Sequence, residues 1–273
     1  MSESTVVDRE RVEERLTAVR TTVRTERRRT VAERRAFEAF ADRLADIDFR
    51  AVGPQQSFST TGQGATVAPS ATAVAPRNTA PMEAVRRAYE ETVMAVSFYE
   101  AEYGDDYAES LHAEFGPEVA TAVTDPDCFG PAANGALLAA VRCAIRERQH
   151  LVETCTRERA AADAAAETLL PVAAELDTVA AAADPTSDPF GTLEARWTRL
   201  STLCDRCEAA AAERQAAIDD RRSRHDLPVE EPDVCAYLYA DHEAFYPVLS
   251  ICASLAERAR TLRERDERAL ARY

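Results

Sequence analysis

The sequence predicts an all-α fold, and three observations support that class. Apolar side chains recur at alternating spacings of three and four residues over several long stretches, as in packed helices. Proline, or a Gly-Pro pair, stands at the head of several of these stretches, where the first turn of a helix tolerates a missing N–H. No stretch alternates apolar and polar residues convincingly, so no β-sheet is predicted.

A long amino-terminal heptad helix is predicted from about Val6 to Asp48. At 1.5 Å per residue it would be roughly 60 Å long and would need a partner for its apolar stripe, either in its own chain or in another. A polar middle in this seam either specifies register or is a simple imperfection. The seam comprises Val12, Leu16, Val19, Val23, Glu26, Thr30, Glu33, Phe37, Phe40, Leu44 and Ile47.

A change in composition predicts the domain organisation. Residues 50–80 are rich in Gly, Pro, Ser, Thr, Gln, Ala and Val, with Arg50 and Arg77 as the only charged residues. Such a segment buries too little apolar surface to offset its ordering entropy, so we expect a flexible linker. Residues 1–49 then form the coiled-coil-like helix, and residues 81–273 form a helical bundle.

Aromatic residues concentrate in two stretches of that bundle. The first lies within a helix predicted from Pro81 to about Tyr103, followed by a short element at 105–115 and a third that begins at Gly116-Pro117. The second is the segment 233–247, which precedes a final helix. We expect the two stretches to meet in a small aromatic-rich head.

Residues 131–225 predict a long antiparallel helical hairpin with a break at 184–189. Asp188 and Pro189 predict the start of its second helix, and Pro171 predicts a kink or a restart in its first. The first seam is Leu138, Val141, Ile145, Arg148, Val152, Cys155, Arg159, Ala162, Ala166, Leu169, Ala173, Leu176 and Ala180. The second seam is Leu193, Trp197, Leu200, Cys204, Cys207, Ala211, Arg214 and Ile218.

Charge and cysteine content indicate the kind of environment in which the protein works. The net charge is −15, with 33 basic and 48 acidic residues, and every basic residue is arginine. This composition resembles that of proteins from halophilic archaea, where exposed ion pairs are heavily screened. The seven cysteines form an odd number with no secretory leader before them, which predicts reduced thiols in a cytoplasm. Residues 51–76 are too polar to span a membrane, so we expect a soluble protein.

Three runs carry a resemblance to a known family: residues 89–104 (YEETVMAVSFYEAEYG), 237–241 (YLYAD) and 246–249 (YPVL). They are similar to a family of uncharacterised all-helical proteins from halophilic archaea, a domain of unknown function. The resemblance covers most of residues 81–273, and the amino-terminal heptad helix is also similar. It implies a cytoplasmic archaeal protein, and it implies no catalytic or binding residue.

The strongest chemical motif is Cys204-Asp-Arg-Cys207. Two thiolates at this spacing can bind zinc or exchange disulfides, but zinc needs a second pair of ligands and redox exchange needs a strand-to-helix context. Both cysteines fall on consecutive seam positions, which favours core packing. A thiol or metal module through them is the second alternative function.

Other polar residues give weaker cues. Helix caps and loops are the expected roles of the acidic pairs at Asp105-Asp106 and at Asp125 with Asp127. His112 lacks the second histidine that a helical zinc site needs, and His150 lies in a stretch that reads as exposed. The set His225, Cys235, His242 and Cys252 matches no zinc spacing.

Arginines concentrate between Arg20 and Arg35, with only Glu26 and Glu33 opposing them. This face could contact phosphates, so a transcription-related nucleic-acid regulator is the first alternative function. No aromatic residue interleaves these arginines, and the whole helix is nearly charge-balanced, which favours a solvated face.

The sequence thus predicts a protein-protein interaction or scaffold module that assembles through its heptad helices. We expect no catalytic residue, cofactor, metal or membrane partner.

Overall fold

The computed structural model describes residues 8–47, 49, 79–183, 187–223 and 234–273. In these residues eight helices and no strand form, which confirms the all-α class. Residues 50–78 of the predicted linker and His225 lie outside the described residues, whereas positions 79 and 80 are helical. The helices are α1 (Arg9–Ala45), α2 (Thr79–Glu90), α3 (Tyr99–Glu102), α4 (Tyr107–Thr124), α5 (Pro131–Ala182), α6 (Phe190–Ser223), α7 (Val234–Leu238) and α8 (Pro247–Leu270).

The chain folds into two compact units. Unit 1 consists of residues 1–27 and 153–273, and unit 2 consists of residues 28–152. The two longest helices, α1 and α5, each contribute residues to both units. The two aromatic-rich stretches therefore belong to different units, where each packs against its own neighbours, rather than to one head.

Unit 1 is built from antiparallel helices, and its ion pairs show their directions. Glu175 near the end of α5 pairs with Arg199 near the start of α6, whereas Glu158 pairs with Arg214 further along α6. Helices α6 and α8 run antiparallel in the same way. Helices α1 and α5 also run antiparallel, because the N–H of Arg9 donates to Asp177 and Arg20 pairs with Asp163. The α5–α6 hairpin is thus extended by α1 and α8.

The core of unit 1 contains the seam residues that the sequence predicted for α1, α5 and α6. Val12 and Leu16 of α1 pack in one apolar cluster with Leu169 and Leu176 of α5 and with residues of α6 and α8. Burial of apolar surface at roughly 25 cal/mol per Å² is the main force holding such a cluster together. The amino-terminal stripe is thus covered within its own chain.

Unit 2 has a core rich in aromatic side chains. Tyr89 on α2 is fully buried and packs edge-to-face with Phe40 of α1 and with Tyr107 of α4, with ring centroids 5.1 and 5.7 Å apart. The Tyr89 hydroxyl hydrogen bonds the Ser110 hydroxyl at 2.8 Å, which satisfies both buried groups. The carboxy-terminal half of the α1 seam is therefore covered by α2, α4 and α5.

Helix α2 ends at Glu90, although the sequence predicted one helix from Pro81 to about Tyr103. The Thr92 hydroxyl donates to the Ala88 carbonyl at 2.6 Å, and the Tyr89 carbonyl accepts the N–H of Val93 at 2.9 Å and of Met94 at 3.2 Å. The chain turns here and resumes as the four-residue α3.

The second and third elements predicted at 105–115 and after Gly116-Pro117 form one helix, α4, with a kink between them. Gly116 has φ 79° and ψ 168°, a conformation that residues with a Cβ rarely adopt. Asp106 caps the first turn by accepting the N–H groups of Ala108 and Glu109, both at 2.9 Å, and Glu109 completes a capping box. The predicted cap at Asp106 is confirmed.

Helix α5 continues through Pro171, so of the kink or restart predicted there the restart does not occur. Asp188 lies two residues before the start of α6, and its carboxylate accepts a hydrogen bond from Arg196 at 2.6 Å. Helix α8 begins at Pro247, where proline occupies the first turn as predicted.

Candidate functional site

Three large aromatic side chains form an exposed patch in unit 1, which we call the aromatic patch. It consists of Phe190 and Trp197 on α6 and Tyr273 beyond the end of α8, with exposed fractions of 50%, 36% and 75%. Phe190 and Trp197 are seven residues apart and so share one face of α6. The rings of Phe190 and Tyr273 meet edge-to-face with centroids 6.0 Å apart. The patch is therefore one contiguous aromatic surface at the junction of α6 and α8.

Hydrogen bonds fix the aromatic patch to its supporting helices. Trp197 Nε1 donates to Glu267 Oε1 at 2.8 Å, and the Tyr273 hydroxyl donates to the Asp188 carbonyl at 2.9 Å. Beneath it, Arg196 binds Asp266 through Nε at 2.7 Å and Nη2 at 2.6 Å. This fork-to-carboxylate pair raises the pKa of Arg196 and ties the end of α8 to the start of α6. The patch is thus held in a defined conformation.

Charges of both signs surround the aromatic patch. On α8, Arg263 lies 3.6 Å from Glu267, and Arg268 lies 3.0 Å from Glu264. Exposed pairs of this kind contribute little to stability. Sequence reasoning placed Trp197 on a buried seam, whereas the structure leaves it partly exposed.

A polar cluster also lies deep in unit 1. Arg214 Nη1 donates to Glu158 Oε2 at 3.1 Å, the Tyr239 hydroxyl donates to Glu158 Oε1 at 2.7 Å, and Arg214 Nη2 lies 3.6 Å from Cys235 Sγ. Glu158 and Arg214 are 1% and 5% exposed. Burial raises the pKa of Tyr239, so its hydroxyl stays protonated as the donor. The cluster is enclosed and mutually bonded, as expected of a structural network.

The sequence predicted the burial of only one of the two charged residues in this cluster. Arg214 fell on the predicted α6 seam, and it is buried as that seam requires. On α5 the predicted seam residue was Arg159, which is exposed, whereas its neighbour Glu158 is buried. The predicted seam residues on either side, Cys155 and Ala162, are buried, so the error is local: the three-four count assigned the turn between them to Arg159 rather than to Glu158.

Cys204 and Cys207 lie in the apolar core of unit 1, together with Cys252. Their exposed fractions are 4%, 0% and 1%, so the predicted core packing is confirmed. Burial raises the pKa of Cys207 to about 12 and that of Cys252 to about 11, which keeps both thiols protonated near neutral pH. Metal binding and disulfide exchange both require the thiolate. Within the described residues, no three carboxylate, thiol or imidazole groups lie together as a metal site.

The other candidates from the sequence occupy separate places. His242 hydrogen bonds the Thr22 hydroxyl through Nε2 at 2.8 Å and packs against the Tyr239 ring. His112 is exposed and His150 is half-buried. Asp125 turns the chain after α4 by accepting the N–H of Asp127 at 2.9 Å, as expected of a loop residue.

The arginines between Arg20 and Arg35 are mostly engaged within their own unit. In unit 1, Arg20 pairs with Asp163 at 2.7 Å and Arg27 donates to the Thr156 hydroxyl at 3.0 Å. In unit 2, Arg29 pairs with Glu102 and Arg34 binds Gln149. Four arginines of this stretch are exposed: Arg24, Arg27, Arg28 and Arg35.

Comparisons with known proteins found one family. A family model described as a domain of unknown function (DUF7260) matches residues 14–263. No curated protein and no solved structure matches the chain. Among the helices in the described part of the chain, none joins enough length to enough apolar character to cross a membrane.

Proposed function

The chain belongs to the DUF7260 family of domains of unknown function, and from that premise we propose that it is a non-catalytic interaction module that self-associates through the aromatic patch. The observation that carries the proposal is the contiguous exposure of Phe190, Trp197 and Tyr273 on a rigid support. Single exposed apolar residues are normal on protein surfaces, whereas clustered aromatic residues are enriched at protein-protein interfaces.

Charge favours a second copy of this chain as the occupant. The whole chain has a net charge of −15, so most approaches of two copies are repulsive. Helices α6 and α8 together contain eleven arginines and ten carboxylates, so their combined formal charge is close to zero. Two aromatic patches facing each other would bury their rings where repulsion is weakest. Phe190 and Trp197 lie on α6, so this self-association would use one of the predicted heptad helices.

The two alternatives are less well supported by the contacts. A nucleic-acid regulator would need the Arg20–Arg35 face, most of whose arginines already bind groups of their own chain. A thiol or metal module would need Cys204 and Cys207 as thiolates, and burial raises the pKa of both. We therefore propose a protein partner, and neither a nucleic acid nor a membrane.

Composition supports a proposal for location and origin. All seven cysteines are free thiols, five of them buried, which suits a reducing cytoplasm. The absence of lysine and the excess of acidic residues suit the salty cytoplasm of a halophilic archaeon. At about 1 M salt the Debye length is about 3 Å, so repulsion between two acidic copies would be almost fully screened. Self-association should accordingly strengthen as salt increases.

Light scattering coupled to size exclusion tests the proposal. We expect a mass above the 30.0 kDa of one chain in molar salt, and a mass near 30.0 kDa for the double variant Phe190→Ser/Trp197→Ser. Phe245→Ser is the matched control, because Phe245 is 56% exposed in the same unit but outside the aromatic patch. A mass of 30.0 kDa for the wild-type chain at all concentrations, or an equal effect of Phe245→Ser, would refute the proposal.

A further inference from the structure

Unit 2 contains a cavity of about 230 Å³ between α1, α4, α5 and the chain that leads into and out of α3. Its walls combine four carboxylates, one guanidinium and three aromatic rings. The carboxylates are Glu33, Asp105, Glu114 and Glu147, and the guanidinium belongs to Arg148. With four negative groups against one positive group, the cavity carries an excess of negative charge.

Arg148 satisfies two of these carboxylates. Its Nε donates to Glu33 Oε2 at 3.1 Å and its Nη2 donates to Glu114 Oε1 at 2.6 Å, while the guanidinium lies over the Phe37 ring, 4.4 Å from the centroid. The Tyr103 hydroxyl adds a hydrogen bond to Glu33 Oε1 at 2.7 Å. Arg148 and Tyr103 thus bond two of the four carboxylates, which leaves Asp105 and Glu147 to attract a further positive charge.

Tyr99 supplies a second and independent observation. Its side chain is 6% exposed and lines the cavity, and its buried hydroxyl has no hydrogen-bond partner in the described part of the chain. Ser110 lies near the Tyr99 hydroxyl, but no hydrogen bond of normal geometry joins the two groups; the Ser110 hydroxyl bonds Tyr89 at 2.8 Å. Three polar residues of the cavity wall lie close enough to Tyr99 to influence its pKa: Ser110, Asp105 and Glu114. A buried hydroxyl without a partner is costly, so it indicates a missing one.

The shape and chemistry of the walls select the ligand class. No three metal-ligating side chains converge among the residues described, so these carboxylates suit a larger cation better than a metal ion. Aromatic walls attract organic cations through the faces of their rings. At about 30 Å³ per water molecule, the cavity volume of about 230 Å³ corresponds to roughly eight waters, which limits a ligand to a small molecule.

We propose that this cavity binds a small protonated amine, whose ammonium group donates hydrogen bonds to the Tyr99 hydroxyl oxygen and to a carboxylate of the wall. The binding site lies wholly in unit 2, and it is independent of the aromatic patch in unit 1. A diamine fits the carboxylates better than a monoamine, because Asp105 and Glu147 are not neutralised by Arg148 in the contacts described.

Isothermal titration of the full chain with 1,4-diaminobutane tests the proposal. We expect saturable binding at one site per chain, and none with 1,4-butanediol or succinate, which have the same four-carbon length without the positive charge. Because hydrogen bonds to charged groups are strong, Tyr99→Phe should weaken binding roughly tenfold or more. Tyr107→Phe is the matched control, since its hydroxyl is also buried and unpartnered but does not line the cavity. That variant should bind within about twofold of wild type.

Two further measurements distinguish a loss of ligand binding from a general effect of charge and from an effect on folding. Glu114→Gln should weaken diamine binding, whereas Glu118→Gln, an exposed change on the same helix, should not. Tyr99→Phe should unfold at the same temperature as wild type or higher, because it removes an unpartnered buried hydroxyl. Absence of saturable binding, equal losses in Tyr99→Phe and Tyr107→Phe, or equal losses in the two glutamine variants would overturn the proposal. So would a lower unfolding temperature for Tyr99→Phe, which would reveal a structural partner for the hydroxyl.

Discussion

Glu158 and Arg214 form the most deeply buried ion pair among the described residues, with side chains 0% and 4% exposed. Desolvation opposes such a pair, and Coulomb attraction offsets it only when the remaining polar atoms are also bonded. Here Tyr239 bonds the carboxylate and Cys235 lies beside the guanidinium, so the network is satisfied. The pair therefore fixes how α5 and α6 align, more than it adds net stability.

Breaking this pair should be strongly destabilising. Arg214→Met leaves the Glu158 carboxylate buried without its cation, and we expect a loss of about 3–5 kcal/mol in the free energy of unfolding by urea. Arg157→Met is the control, because its pair with Glu153 on α5 is half exposed and should hardly change the midpoint. Glu158→Leu/Arg214→Met should regain part of the loss. A single variant as stable as wild type, or a double variant less stable than either single one, would contradict this interpretation.

The buried thiols predict how stability depends on pH. In the folded chain the pKa of Cys207 is about 12 and that of Cys252 about 11, against roughly 8.5 in an unfolded chain. The folded state keeps protons that the unfolded state releases, so this contribution is complete below about pH 8.5 and is lost as pH rises toward about 11 to 12. The free energy of unfolding should fall between about pH 8 and pH 10.5, and the fall should be shallower in Cys207→Ala. A constant or rising value would contradict the assigned burial.

Sequence patterns predicted most of the buried residues but not their polar partners. Seven apolar seam positions of α1, from Val12 to Leu44, are buried, so the three-four count stays in phase with this helix for about nine turns. Glu158 was missed because the count assigned the turn between the buried residues Cys155 and Ala162 to Arg159. The sequence did not predict the aromatic patch. A seam position such as Trp197 does not show how far the neighbouring helix extends, and therefore whether that helix covers the side chain.

At the scale of elements, two helices have boundaries that differ from those the sequence pattern predicted. The predicted helix from Pro81 breaks at Glu90, where the Thr92 hydroxyl bonds the Ala88 carbonyl. Helix α5 passes through Pro171, since the packed neighbours of Leu169 and Val172 compensate for one lost hydrogen bond. By contrast, Gly116-Pro117 and Pro247 marked real features of α4 and α8, because glycine and proline act directly on the backbone.

The kink in α4 should depend on Gly116. A Cβ at this position would meet nothing within 4 Å, so Gly116→Ala tests backbone strain alone. At φ +79° we expect a loss of about 1–2 kcal/mol in the free energy of unfolding by urea. Gly135→Ala is the matched control, because this glycine lies within α5 and also has open space around its Cβ position. Its replacement should stabilise the chain by up to about 1 kcal/mol. Equal effects of the two substitutions would rule out a strained backbone at Gly116.

At the scale of the whole molecule, the sequence predicted helices better than their assembly. Proposed domain limits near residues 49 and 80 rest on composition, and most of residues 50–80 lies outside the described part of the chain. The compact units of the structure divide within α1 and α5, at residues 27 and 152, and the predicted limits stay a prediction. A continuous seam gives no sign of a change of partner along a helix, so only tertiary contacts reveal such a division.

The central claim is that the aromatic patch docks onto a second copy of the chain. The most direct measurement replaces Phe190 with a photo-crosslinking phenylalanine, in a mixture of nitrogen-14 and nitrogen-15 chains irradiated in molar salt. We expect crosslinked peptides of mixed isotope content that join position 190 to α6 or α8, and none from the same probe at position 245. Crosslinks of a single isotope content only, or mixed crosslinks from position 245 and none from 190, would contradict the claim.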